Sequence, residues 1–101
     1  MVKIAVDAMG GDGSPKKVID GIINHHTHHK DVFYKIFGDE NQIKVLLKDK
    51  IQIENFEIVH CSETVKSGDT PLEGAKRGKK TSMWLSIESV KNKDCDIIIS
   101  A

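Results

Sequence analysis

Strand-like and helix-like patterns alternate along this chain, and that alternation restricts its fold more than any other feature. Apolar runs of strand length predict strands at residues 2–6, 32–37, 56–60 and 96–101. Apolar residues at helical spacing fill the intervals between them. Strands that alternate with helices pair in parallel through right-handed crossovers. The sequence therefore predicts an α/β fold, and its nearly unbroken fourth apolar run predicts a strand covered on both faces.

Length and charge are typical of a single globular domain. Of the 101 residues, 39% are hydrophobic and 30% are charged, which is enough for a small core. Fifteen basic residues balance fifteen acidic ones, so no overall field attracts nucleic acid or an anionic membrane. The chain begins with a strand pattern rather than a signal peptide, and no apolar run reaches the roughly 20 residues that span a bilayer. A cytoplasmic location is expected.

The cysteines and histidines do not predict a metal or redox site. Cys61 and Cys95 lie far apart without metal-ligand spacing, so both are expected to be reduced structural thiols. The run His25–His29 places four histidines near the predicted end of the first helix. No carboxylate or cysteine pattern completes a metal site there, so a solvated helix end is favoured. No metal and no cofactor are implied.

A glycine-rich turn, residues 7–15, connects the first strand to the first helix. Ser14 is expected to cap this helix, and Pro15 to occupy its first position, where a missing N–H costs nothing. Gly10 and Gly11 leave backbone amides uncovered beside the positive end of the helix, which suits an anion such as phosphate. The alternative is a tight connection whose glycines only satisfy dihedral angles.

Two acidic residues, Asp7 and Asp12, flank this turn. Their charges would repel a bound phosphate unless their oxygens accept hydrogen bonds from backbone amides or a basic residue. Both are therefore expected to brace the turn rather than to touch the anion.

Polar residues follow the other strands where a parallel sheet collects its ligands, at the carboxyl ends. The predicted strand ends are residues 7–12, 38–39, 60–63 and 100–101. His60 and Glu63 lie close enough to the third strand to serve as a proton-transfer group and its orienting partner. The alternative is a histidine that is simply hydrogen-bonded to nearby backbone.

A long connection, residues 62–80, ends in a basic cluster just before the third helix. Connections of this length inside a compact domain are usually functional or mobile. The cluster consists of Lys76, Arg77, Lys79 and Lys80, followed by Thr81 and Ser82 at the helix start. Cationic groups neutralise phosphate, and hydroxyls and amides at a helix start orient it. The alternative is a solvated basic surface.

Several motifs occur in a diagnostic order. The most specific is the opening segment, residues 6–12, followed by Pro15. The others are Phe37-Gly38-Asp39, Val59-His60 with Glu63, Asp69-Thr70-Pro71, Lys79 with Ser82-Met83, and the strand at residues 96–101. Together they span the whole chain, and the chain resembles the PlsX family of phosphate acyltransferases.

The resemblance implies an enzyme that transfers a fatty acyl group from acyl carrier protein to inorganic phosphate, giving acyl phosphate for phospholipid biosynthesis. It also implies a three-layer α/β/α fold similar to the isocitrate and isopropylmalate dehydrogenases. A homodimer and peripheral attachment to the inner face of the bacterial membrane are further implications.

The candidate site residues fall into three roles. Phosphate binding is assigned to Gly10, Gly11, Lys76, Lys79 and Ser82, proton transfer to His60, and bracing of the turn to Asp7 and Asp12. Family members are longer than this chain, so residues 1–101 are interpreted as the N-terminal part of one acyltransferase domain that is inactive alone. Two alternatives are a non-catalytic anion-binding or regulatory module and a structural assembly module with an exposed sheet edge.

Overall fold

A computed structural model describes residues 1–11, 13–48, 55–61 and 81–100. Within these ranges strands and helices alternate as the sequence predicts. The strands are β1 (Val2–Asp7), β2 (Val32–Gly38), β3 (Phe56–His60) and β4 (Ile97–Ser100). The helices are α1 (Lys16–His28), α2 (Glu40–Lys48) and α3 (Ser82–Lys91). None of these helices is both long enough and apolar enough to cross a membrane.

The four strands form one parallel sheet in the order β3-β2-β1-β4. Asp7 at the end of β1 is in register with Phe37 of β2 and Ser100 of β4, and Gly38 is in register with His60 of β3. The predicted α/β class is therefore confirmed, and the strand ends meet at one edge as expected.

One face of the sheet packs against α1 and α2 through aliphatic side chains. Alternate strand residues such as Ile4, Val6 and Ile36 point to this face because successive strand side chains alternate. Ile19 and Ile43 of the two helices are completely buried against them. This aliphatic face is the larger core of the described structure, and it follows the apolar periodicity of the sequence.

The opposite face packs against α3, so the sheet lies between two helical layers, as a three-layer α/β/α arrangement requires. Its core includes Ala5, Phe37, Cys61 and Cys95, with Leu85 of α3 packed against them. Both cysteines are free and buried, as expected of structural thiols. The further likeness to the dehydrogenases stays a prediction.

Helix α3 is confirmed, but most of the apolar side chains that predict it point away from the sheet. Met83 and Ile87 are 38% and 48% exposed, whereas the buried positions are Ser82, Ser86 and Ser89. The Ser86 hydroxyl donates to the Ser82 carbonyl at 2.6 Å, and the Ser89 hydroxyl to the Ser86 carbonyl at 2.7 Å. Because helix carbonyls satisfy these hydroxyls, α3 can bury small polar side chains without a large desolvation cost.

Three local expectations are wrong. Ser14 does not cap α1, which begins after Pro15, because the Ser14 hydroxyl instead donates to the Gly10 carbonyl inside the turn. Strand β4 is not covered on both faces by the described residues, since Ile97 and Ile99 are 49% and 53% exposed. The histidine run is not wholly solvated, because the helical spacing from Ile19 and Ile22 places His26 on the buried face of α1.

Candidate functional site

The carboxylate of Asp7 lies at the centre of the strand-end region. It is 3% exposed and accepts three hydrogen bonds. The Ser82 hydroxyl donates to Oδ1 at 2.6 Å, the Ser100 hydroxyl to Oδ2 at 3.0 Å, and the Met9 N–H to Oδ1 at 3.2 Å. No basic side chain in the described ranges forms an ion pair with it. Asp7 therefore joins β1, its following turn, α3 and β4 through hydroxyl and amide donors alone.

The glycine turn after Asp7 adopts backbone conformations that require glycine. Gly11 and Gly13 have φ angles of 82° and 79°, in the left-handed region that side chains with a Cβ disfavour. The Ser14 hydroxyl holds the Gly10 carbonyl, and the Lys17 N–H donates to the Gly13 carbonyl at 3.0 Å. The turn is thus closed by one internal contact and tied to the start of α1 by a second.

Lys17 is a cation at this turn that the sequence interpretation missed. A Cβ built on Gly13 would lie 2.9 Å from Lys17 Cδ and 3.0 Å from Cε, so the lysine stem crosses directly over the turn. The sequence could have indicated this contact, because Lys17 follows Gly13 by four residues, which is about one helical turn. Lys17 therefore brings a cationic side chain to the turn at Gly13.

Ser82 stands at the first turn of α3, where the sequence predicts a helix start. The preceding Thr81 caps this helix, since its hydroxyl accepts the Trp84 N–H at 3.1 Å. Ser82 is 2% exposed and gives its single hydroxyl proton to Asp7. In this arrangement Ser82 connects the start of α3 to the carboxylate.

His60 ends β3 and connects it to the start of α2. Its Nδ1 atom accepts the Glu40 N–H at 3.1 Å, so the proton of the neutral ring is on Nε2. This contact to nearby backbone is the alternative that the sequence left open. The ring is exposed, and its Nε2–H is the remaining donor.

Glu40 at the start of α2 pairs with Lys44 one turn later. The hydrogen bond and the positive charge of Lys44 lower the pKa of the Glu40 carboxyl, and His60 adds a smaller effect in the same direction. Asp39 supports the same helix start, because its Oδ1 accepts the Gln42 N–H at 3.1 Å. The strand-end edge beside His60 is therefore held by α2.

Met9 closes the end of β2 against the turn. A Cβ on Gly38 would lie 2.9 Å from Met9 Sδ and 3.0 Å from Ile43 Cδ1, so a side chain there would require Met9 to move. The Asp39 N–H also donates to Met9 Sδ at 3.4 Å. Gly38, the last residue of β2, thus lets the Met9 side chain pack closely against the end of the strand.

Cys61 lies beside this region but is not a candidate nucleophile. It is 3% exposed, and burial raises the pKa of its thiol to about 11, with a further increase from the charge of Asp7. A thiol with this pKa is almost entirely protonated at neutral pH. Across the described ranges, no three His, Cys, Asp or Glu side chains are grouped so that they could hold a metal ion.

The structure brings five of the predicted site residues to one edge, namely Asp7, Gly10, Gly11, His60 and Ser82. The remaining predicted residues, Asp12, Lys76 and Lys79, lie outside the described ranges, as do Glu63 and the connection at residues 62–80. Ser100 is a second residue that the sequence interpretation left without a role. The sequence could have identified Ser100, because it lies at a predicted strand end.

The fold and this edge define a parallel α/β domain with glycine, hydroxyl and cationic groups at the carboxyl ends of its strands, where ligands of such folds bind. A family model described as a fatty acid synthesis protein matches residues 2–101, and the chain belongs to that family.

Named relatives support this membership. A phosphate acyltransferase of Pelagibacter ubique (strain HTCC1062) is 56% identical over 101 residues, covering 100% of this chain and 30% of the relative. Phosphate acyltransferases of Listeria monocytogenes serotype 4a (strain HCC23) and Enterococcus faecalis (strain ATCC 700802 / V583) are 43% and 37% identical over 100 residues, covering 99% of this chain and 29% of each relative. The family resemblance predicted from the motifs is confirmed, and the chain spans about 30% of the length of these curated relatives.

Proposed function

We propose that this chain supplies part of the phosphate site of a phosphate acyltransferase, which transfers a fatty acyl group from acyl carrier protein to inorganic phosphate. The product is acyl phosphate for phospholipid biosynthesis. The observation that carries this proposal is the glycine turn at the carboxyl edge of the sheet, which hydrogen bonds of Asp7 and Ser14 fix and the Lys17 side chain overlies. Family membership and the names of the relatives support the same reaction.

The reaction needs phosphate to be positioned without losing its nucleophilicity. A phosphate oxygen attacks the thioester carbonyl carbon, a C–O bond forms, and the carbonyl oxygen takes up the negative charge. The intermediate then collapses, the C–S bond breaks, and the carrier thiolate leaves and takes a proton from solvent. Holding the two reactants in contact supplies much of the rate increase in such transfers.

The anion is assigned to the amides of Gly10 and Gly11 with Lys76 and Lys79 as cations. Lys17 adds a further positive charge at the turn. Ser82 is also assigned to the anion, although its hydroxyl must first leave Asp7. Asp7 and Asp12 brace the turn, and for Asp7 the Met9 N–H is the contact that supports this role.

His60 is assigned a role in the reaction itself, either as a hydrogen-bond donor or in proton transfer. In the tautomer that accepts the Glu40 N–H, the free Nε2–H donates a hydrogen bond to the developing oxyanion. If His60 instead moves a proton, Nε2 must first be free to accept one. A pH profile of the reaction distinguishes the two roles, because only the second requires His60 to change its charge.

Acyl carrier protein and phosphate are the partners of the proposed reaction. A homodimer, a cytoplasmic location and peripheral contact with a membrane belong to the proposal through the family resemblance. The outward residues of α3, Met83, Trp84 and Ile87, are exposed apolar side chains that suit contact with further protein.

A hybrid enzyme tests the proposed reaction. Residues 1–101 replace the matched segment of the Pelagibacter relative, and acyl phosphate formation from acyl carrier protein thioester and labelled phosphate is measured. We expect turnover by the hybrid and none by the 101-residue chain alone. A folded hybrid that binds phosphate without turnover would support a non-catalytic anion-binding module instead.

A further inference from the structure

A cavity of about 330 Å³ lies between α1 and β4, next to the glycine turn. Its polar end is lined by Asp7, Lys17 and Ser100, which belong to the candidate phosphate site or adjoin it. The rest of the lining includes Ile22 and Ile99. Beyond this end the lining is mainly apolar, and the polar residue furthest from the strand-end edge is His25.

The direction of the cavity follows from the topology. Helix α1 starts at the carboxyl edge of the sheet and runs back along it, so Lys17, Gly21 and His25 lie at successive turns down the cavity wall. Eight residues of helix at 1.5 Å per residue give the wall a length of about 12 Å. The facing wall is the exposed β4 residue Ile99.

Gly21 keeps this groove open. It lies inside α1, where glycine is less favourable than alanine. A Cβ built on Gly21 meets no atom within 4 Å, so packing within the described structure does not require glycine there. The missing side chain instead widens the groove at its middle.

We propose that this groove binds the hydrocarbon chain of the acyl substrate, with the reacting head at Lys17 and the glycine turn and the tail running past Gly21. The inference rests on the proposed function. An anionic head matches Lys17 at the strand-end edge, and an apolar tail matches the mainly apolar lining beyond it. The groove is continuous with the candidate phosphate site.

Direct binding to the 101-residue chain provides the first test. Octyl, dodecyl and hexadecyl phosphate are titrated below their micelle concentrations by calorimetry, with inorganic phosphate as reference. Each methylene that enters the groove should tighten binding by up to about fourfold until the groove is full. Gly21→Phe should weaken dodecyl phosphate binding at least about tenfold and leave inorganic phosphate binding unchanged.

Thr27→Phe is the matched control, because Thr27 is exposed on α1 and is not part of the cavity lining. Circular dichroism confirms that each variant is folded. Equal affinity for all chain lengths, no binding of any alkyl phosphate, or equal losses in the two phenylalanine variants would overturn the groove assignment.

The hybrid enzyme separates this inference from the proposed reaction. Gly21→Phe should shift its preference from long to short acyl chains, with Thr27→Phe unchanged. An active hybrid whose chain-length profile does not respond to Gly21→Phe contradicts the groove alone, as expected if another protein segment covers it. A folded hybrid that makes no acyl phosphate contradicts the proposed reaction, while the alkyl phosphate titrations still decide the groove.

Discussion

The two faces of the sheet are packed by different kinds of side chain. Against α1 and α2 the contacts are branched aliphatic residues such as Ile19 and Ile43, whereas α3 buries three serines and turns most of its apolar residues outward. The aliphatic face supplies most of the hydrophobic stabilisation of the described core. The serine face contributes less apolar burial, but it lets the start of α3 reach the Asp7 carboxylate through Ser82.

This difference indicates a division of roles. The aliphatic face holds the sheet and the start of α1 in place, and the serine face carries the hydrogen bonds that organise the strand ends. Substitutions on the two faces should therefore have different consequences.

The largest expected effect comes from truncating the same residue type at a buried position of α1 and at an outward position of α3. Ile19→Ala removes a fully buried side chain and should lower the free energy of unfolding by about 2–5 kcal/mol. Ile87→Ala, at a position 48% exposed, should change it by no more than about 0.5 kcal/mol. Urea denaturation measures both, and equal losses would contradict the assignment of the α1 face as the main core.

Enlarging a buried serine tests how closely α3 approaches the sheet. Ser86 is completely buried, so Ser86→Leu should cost about 1–3 kcal/mol through overpacking. Ser86→Ala keeps the small volume and removes only a hydroxyl bonded within the helix, so its cost should be smaller. If the leucine variant is as stable as the wild type, α3 does not pack closely through its serines.

Neutralising Asp7 tests the hydrogen bonds that connect the serine face to the strand ends. Asp7→Asn replaces an acceptor oxygen with an amide group, leaves Ser82 or Ser100 without its partner, and should cost about 1–2 kcal/mol. Asp31→Asn, at an exposed position, is the matched control. Thermal unfolding at neutral pH measures both, and an unperturbed Asp7 variant would show that these contacts contribute little.

The ionisation of the Cys61 thiol has the smallest expected effect on stability at neutral pH. Its folded pKa of about 11 lies above the ordinary value near 8.5, so alkylation by iodoacetamide at pH 8 should be about two orders of magnitude slower than in the urea-unfolded chain. The raised pKa stabilises the fold fully below about pH 8.5, and that contribution is lost as the pH rises towards 11. Mass spectrometry of the Cys61 peptide gives the rate, and similar rates in both states would contradict its burial.

The sequence was sufficient for the order and type of the described elements, because their apolar residues recur with the correct periods. It was misleading where a polar side chain forms its hydrogen bond with a nearby backbone group. The hydroxyls of Ser86 and Ser14 bond to nearby carbonyls, so one is buried against the sheet and the other is lost as a helix cap. Apolar spacing alone therefore located α3 but not the face that it buries.

The candidate site was predicted where a glycine pattern, a strand end or a helix start marks it in the sequence, and missed where a contact depends on the folded geometry. The glycine turn is a local feature, and its identification needed no tertiary information. Ser100 reaches Asp7 across 93 positions through the register of β1 and β4, and the Lys17 stem lies over Gly13 only because of the conformation of the turn. Such contacts depend on strand pairing and backbone geometry that a single sequence does not specify.

The most direct test of the account is the KM for inorganic phosphate in the hybrid enzyme carrying Gly11→Ala. Because Gly11 has a φ of 82°, a Cβ there should distort the turn and raise this KM about tenfold, with little change in the KM for acyl carrier protein thioester. Thr27→Ala, on the exposed side of α1, should leave both values unchanged. An unchanged KM for phosphate in the Gly11 variant would contradict the assignment of the turn to phosphate binding.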